Sequence, residues 1–261
     1  MYYLKLLKAF YRNAILIELE YRINFLTNVF MTAFWFAWTL VSVRIFYRFT
    51  DQIGGWSYPE ALLVIGLFSC ANALIWGIVR PNVEKLVEGI RNGTFDFVLI
   101  KPVNSQFMAS LRHLVIWQFS NLALGLVVVL IAAPQLNRSI PASSWLLFAL
   151  LLICGLVIVY SIGLTLVSIA FWAVRIDNMI ELFNSIFETA RYPVDAFPGW
   201  ARGLLTFVIP IAFVTTVPAA VVIGKLTLWW GVVAALLALV SLLLASAIWS
   251  YAVKHYASAS S

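Results

Sequence analysis

The side chains able to do chemistry in this chain are few, and they cluster. Residues 80–107 carry seven charges: Arg80, Glu84, Lys85, Glu88, Arg91, Asp96 and Lys101. Two further acids, Glu181 and Glu188, stand seven residues apart and share a helix face with Asn184 between them, and Arg191 follows. Charged groups in water can fix the register of a protein partner. Inside a membrane they must face protein or water, where they line a substrate path or form internal ion pairs with Arg175 or Arg191. Covalent catalysis needs a nucleophile beside a base. Ser161, Thr165 and Ser168 have no basic residue in their stretch; with Gly155 and Gly163 they suit close helix packing instead. His113 and His255 have no partner at ligand spacing, so neither a metal site nor a catalytic residue is predicted. Cys70 and Cys154 fall in apolar stretches and read as packing thiols.

The elements that hold these groups are apolar. The chain is 63% hydrophobic and 11% charged, against roughly 25% charged in soluble domains. Uncharged runs cover residues 23–43, 61–79, 113–137, 139–174, 203–224 and 226–253. A bilayer-crossing helix needs about 20 apolar residues, so the sequence predicts an all-α integral membrane protein with six transmembrane helices. The net charge of +6 reflects topology and lipid headgroups, and no nucleic-acid partner is expected. Lys and Arg concentrate in the N-terminal arm and in residues 80–112, which predicts that both face the cytoplasm. Six crossings return the C-terminus to that side.

Residues 1–22 carry a basic stripe, Lys5, Lys8 and Arg12, beside an apolar one, Leu4, Leu7, Tyr11 and Ile15. That pattern suits an interfacial helix, though a solvated terminus would also accommodate it. Pro81 is expected to stop the second span. In residues 82–93 Asn82 suits an N-cap and Gly93 a C′ position. Between them Val83, Leu86, Val87 and Ile90 make an apolar stripe, with Glu84, Lys85, Glu88 and Arg91 on other faces. This short amphipathic helix could insert into a partner protein or lie on the membrane. Residues 94–104 alternate apolar and polar and read as extended chain. Residues 175–224 allow two readings. Either 176–192 is a short span and 199–224 a re-entrant hairpin turning near Pro210, or 175–199 is cytoplasmic and 200–223 a single kinked span.

A specific resemblance emerges at Glu88, Gly93, Phe95, Asp96, Leu99, Lys101, Pro102 and Asn104. An acidic helix ended by Gly, then Gly-x-[Leu/Phe]-Asp, then Leu-x-[Lys/Arg]-Pro-x-Asn resembles the segment between spans two and three of bacterial ABC type-2 exporter permeases. Ala190-Arg191-Tyr192-Pro193 and the Pro-rich stretch up to Pro210 resemble a second element of that family. The resemblance implies a single domain over 1–261. It would have an N-terminal elbow helix at 1–22, a cytoplasmic coupling helix at 82–93, and a re-entrant hairpin before the sixth span. It also implies a bacterial plasma (inner) membrane location, a second permease subunit, identical or paralogous, and two ABC ATPase subunits. The chain itself lacks the phosphate-binding G-x-x-x-x-G-K-[ST]; Gly224-Lys225 is followed by Leu226. ATP and Mg are therefore expected on the partner ATPase, with no cofactor on this chain. Docking would use Val83, Glu84, Leu86, Val87, Glu88, Ile90 and Arg91, while Glu181, Asn184, Glu188 and Arg191 would line the path or pair. The alternative from the residues alone is a membrane-embedded scaffold without transport activity.

Overall fold

The computed structural model describes residues 2–136, 140–172, 177–227 and 229–256. Among these residues the chain is helical, with one isolated bridge between Ile53 and Trp56. Five helical stretches are long and apolar enough to cross a membrane: Arg22–Phe46, Tyr58–Arg91, Ile116–Gln135, Ala142–Ile169 and Trp229–Lys254. The first helix, α1 (Tyr2–Glu20), buries no residue fully and leads through Tyr21 into α2 (Arg22–Phe46). Its Tyr3 ring meets Phe107 edge-on at 4.7 Å.

The centre of the bundle is α3 (Tyr58–Leu74), where nearly every residue is buried. Ser57 and Glu60 form a reciprocal capping box at its start that satisfies two backbone amides, and the proline in the first turn has no N–H to satisfy. Against it lies α7 (Phe119–Gln135). The two backbones touch at Gly66 and Gly125: a Cβ on Gly125 would stand 2.5 Å from the Gly66 carbonyl oxygen. Small residues permit this approach, which gains dispersion contacts where lipid supplies no hydrophobic drive.

Pro81 does not end the second span. The helix passes through a π-helical segment, Ile75–Val79, and continues as α4 (Arg80–Arg91). Proline has no N–H for the carbonyl four residues earlier. That carbonyl, on Gly77, accepts instead from the Val115 amide at 2.8 Å. Asn82, expected as a cap, sits inside the helix and clamps the same loop. Its Nδ2 donates to Ile78 O at 2.6 Å and His113 O at 2.8 Å, and its Oδ1 accepts from His113 N at 2.8 Å. Asn92 and Gly93 finish α4, Gly93 at φ 69° as a left-handed terminator.

Residues 94–104, expected to be extended, contain the helical turn α5 (Asp96–Leu99), and α6 (Ser105–Leu111) follows. The Phe95 ring, 1% exposed, is held edge-on by Phe171, Trp249 and Tyr256. Burying that one ring turns the chain back on itself, and local alternation cannot compete with it.

The remaining layer is α8 (Ala142–Ile169), packed along α12 (Trp229–Lys254). Hydroxyls of Ser161, Thr165 and Ser168 donate to the carbonyls of Val157, Ser161 and Leu164 on their own helix. Cys70 and Cys154 are buried free thiols. Next, α9 (Asp177–Glu188) meets α3 at its C-terminal end, with Phe187 stacked on Phe68 at 5.4 Å. The chain then reaches the bundle end marked by Trp56, whose Nε1 donates to Asp195 Oδ2 at 3.0 Å. From there α10 (Gly199–Gly203) and the π segment Leu204–Val208 descend, and residues 209–214 pack on Phe68, Ala71 and Val159. The helix α11 (Thr216–Val222) climbs back, and Lys225 bonds Gly55 O at 2.7 Å and Glu60 at 3.0 Å. Residues 199–224 thus leave from and return to the Trp56 end.

Gly125→Leu should force α3 and α7 apart and cost about 1–3 kcal/mol. Gly203→Ala, which meets nothing within 4 Å, should be neutral. Thermal melts of the purified protein in detergent check the pair.

Candidate functional site

Two regions bring the chemistry-bearing residues together. The first is the end of the bundle formed by α4. Its apolar stripe does not face outward. Leu86, Val87 and Ile90 are buried, with Val83 beside them, against Leu164 and Val167 of α8 and Trp249 of α12. The sequence-based docking set thus divides into this covered stripe, Val83, Leu86, Val87 and Ile90, and the exposed Glu84, Glu88 and Arg91. A helical period reports that one face is apolar but not what covers it, and here the covering helices belong to the same chain. The outer face of α4 is polar. Arg80 bonds Glu84 at 2.6 Å and also lies over the Trp76 ring, while Lys85 bonds Glu88 at 2.9 Å. Arg91 and Asn92 complete that tip. Beyond Gly93, Phe97 and Ile100 stay 64% and 76% exposed.

The second region is a cavity of about 550 Å³ between α2, α3, the start of α7 and the end of α9. Glu188 and Arg191 line it and form an ion pair at 2.6 Å. The Arg191 guanidinium also covers the Phe68 ring at 5.2 Å. Glu181 is exposed and lies off this cavity, and Asn184 is turned into the protein with its Nδ2 lacking a partner among the described residues. The predicted quartet therefore splits into a cavity pair and two residues elsewhere.

Sequence reasoning missed the cavity's other polar groups. Asn28 and Thr32 of α2, Ser69 and Asn72 of α3, and Gln118 and Asn121 near the start of α7 converge there. Asn72 Oδ1 is buried and lacks a partner among the described residues. An amide inside an otherwise apolar span was the available signal, because such a group is expensive to bury unpaired. Trp35, Trp38, Trp76 and Trp117 form much of the remaining wall. Aromatic walls with a few converging polar groups can hold an amphipathic solute.

A helical bundle with five potential spans and a polar cavity between them defines a multi-pass membrane protein. Residues 33–260 match the family described as ABC-2 family transporter protein, and the chain belongs to that family. It is a component of membrane transport, and that membership supports a permease role. A comparison with curated proteins finds no match.

Leu86→Asp would bury a carboxylate among Leu164, Val167 and Trp249. It should lower the melting temperature of the isolated chain, rather than leave the fold intact and abolish only partner binding. Glu84→Ala, on the outer face, should shift stability by less than about 0.5 kcal/mol. Detergent melts of both variants, without any partner present, make the comparison.

Proposed function

We propose that this chain is the permease subunit of an ATP-driven exporter. Two copies, or one copy and a paralogue, form the path, and two separate ATPase chains bind ATP and Mg. Family membership supports the transport role. One observation supports the coupling: a single helical run, Tyr58–Arg91, reaches from the Trp56 end to the charged tip. Midway it contributes Ile65, Phe68, Ser69, Asn72 and Trp76 to the cavity wall. A push on the tip therefore acts on the same helix that lines the cavity. Packed interiors have low compressibility, so the displacement is carried and not absorbed.

In this reading α1 is an interfacial elbow, residues 199–224 are a re-entrant hairpin, and α4 is the coupling helix of a bacterial inner-membrane protein. Both termini and the α4 tip face the cytoplasm, which makes α9 a sixth, short crossing from the end where α8 packs on α4 to the Trp56 end. The docking surface is the exposed part of the tip: Glu84, Glu88 and Arg91 for register, and Ile100 as the apolar anchor. Closing of the ATPase dimer moves this tip, and the cavity alternates its access. The π segment Ile75–Val79, which includes the cavity residue Trp76, joins the cavity wall to the tip without interrupting the helical run. Trp35 and Trp38, more than half exposed on α2, bound the open side of the cavity, which a second permease subunit closes.

Co-expression with a candidate ATPase and reconstitution into liposomes test the reading. The complex should show vanadate-sensitive ATP turnover. Ile100→Asp should abolish ATPase recruitment without changing the melting temperature of the permease alone. Glu188→Gln with Arg191→Gln should alter transport and leave assembly intact. Failure to recruit any ATPase would favour a membrane scaffold.

A further inference from the structure

A second concave site lies between α4, α5 and α6, apart from the transport cavity. It is a groove of about 310 Å³. Its buried floor is Leu86, Phe95 and Met108. Its charged and titratable lining is entirely basic or neutral: Lys85, Lys101, Arg112 and His113, with no carboxylate. Lys85 shares its charge with Glu88. Lys101 and Arg112 have no acidic partner among the described residues. The His113 imidazole is held below its ordinary value, first by burial and then by the positive charges of Arg112 and Lys85. Lys101 and Arg112, two cations lining one concavity without an acidic partner of their own, make an anion site with its ligand missing from the chain itself.

Location identifies the source of the anion. Arg112 and His113 stand just before Ile116, where a potential span begins, and Lys85 follows the apolar part of the Tyr58–Arg91 run. The groove is therefore level with the boundary between hydrocarbon and water. Beside it lies α1: Tyr3 touches Phe107 of α6. Lys5, Lys8 and Arg12 are carried on the same helix as Tyr3. Basic pockets between spans at this depth hold phosphate-bearing headgroups.

We propose that the groove between α4 and α6 is a binding site for an anionic phospholipid headgroup, gripped by Lys101 and Arg112 with Lys85 in support. The lipid supplies the missing charge and ties α6 to α4 beside the Asn82 clamp. This assignment needs only that the chain sits in a bilayer; it does not rest on ATPase coupling.

The test uses the full chain purified in a neutral detergent and presented with mixed micelles of phosphatidylglycerol or phosphatidylcholine. Native mass spectrometry counts the lipid retained, and a thermal melt reports stabilisation. Phosphatidylglycerol should be retained and should raise the melting temperature, and phosphatidylcholine should do neither. Lys101→Gln with Arg112→Gln should weaken phosphatidylglycerol binding about thirtyfold. Lys101→Arg with Arg112→Lys should restore most of it. Lys5→Gln with Lys8→Gln on α1, which leaves the groove intact, should weaken binding far less. Should the double Gln variant fail to fold, the charge-keeping variant and the α1 variant still separate the groove from general attraction to positive charge. Equal retention of both lipids, or an α1 variant as weak as the groove variant, would overturn the site. Displacement of the lipid by inorganic phosphate at constant ionic strength would overturn the lipid as its source. An acidic peptide of the ATPase displacing the lipid would reassign the groove to protein docking.

Discussion

Proline in the middle of a helix leaves a carbonyl without its donor, and in this bundle that carbonyl belongs to Gly77. Within a bilayer no water is at hand to satisfy it, and an orphan there costs several kcal/mol by transfer estimates. The Val115 amide takes the place of the missing donor at 2.8 Å. Asn82 then closes the arrangement with three hydrogen bonds, two of them to His113. Because those groups are paired, the helix need not end at Pro81. The run Tyr58–Arg91 stays whole, and the loop ahead of α7 is pinned to it.

The rest of the molecule is arranged along that run. Its first turn is capped by Ser57 and tied to Lys225 through Glu60. Its middle packs on α7 through paired glycines and forms a wall of the cavity that holds Glu188 and Arg191. Its last turns bury Leu86, Val87 and Ile90 under α8 and α12 and leave the acids outside. Sites that would otherwise be independent therefore share one rigid element. The π segment between them is the point of least regular hydrogen bonding along that element.

Much of the architecture was legible in the sequence, for definite reasons. Long uncharged runs can only be buried in lipid or protein, so the multi-pass class followed from composition, and the motif around Lys101-Pro102 pointed to the family that residues 33–260 match. What periodicity could not give was the identity of neighbours. Val83, Leu86, Val87 and Ile90 had the spacing of a docking face, and only the tertiary fold reveals α8 and α12 upon them. Pro81 carried a stop signal, because its rescuer, Val115, is 34 positions away in the chain. Alternation at residues 94–104 suggested extended chain, yet the burial of Phe95 among three other rings outweighed it. Glu181 and Glu188 share a helix face by spacing, and the sequence leaves open whether that helix is a span or cytoplasmic. Which of them reaches the cavity depended on the stacking of Phe187 on Phe68, which has no local signature.

The central claim is that movement of the charged tip reaches the cavity through an unbroken helix. Asn82→Ala removes the clamp by a change at a residue that belongs neither to the exposed tip nor to the cavity lining. The decisive measurement is transport and ATP hydrolysis by that variant, side by side, in liposomes containing the ATPase. Hydrolysis that continues while transport is lost is the predicted result; transport that keeps pace with hydrolysis as in the unaltered chain would contradict it.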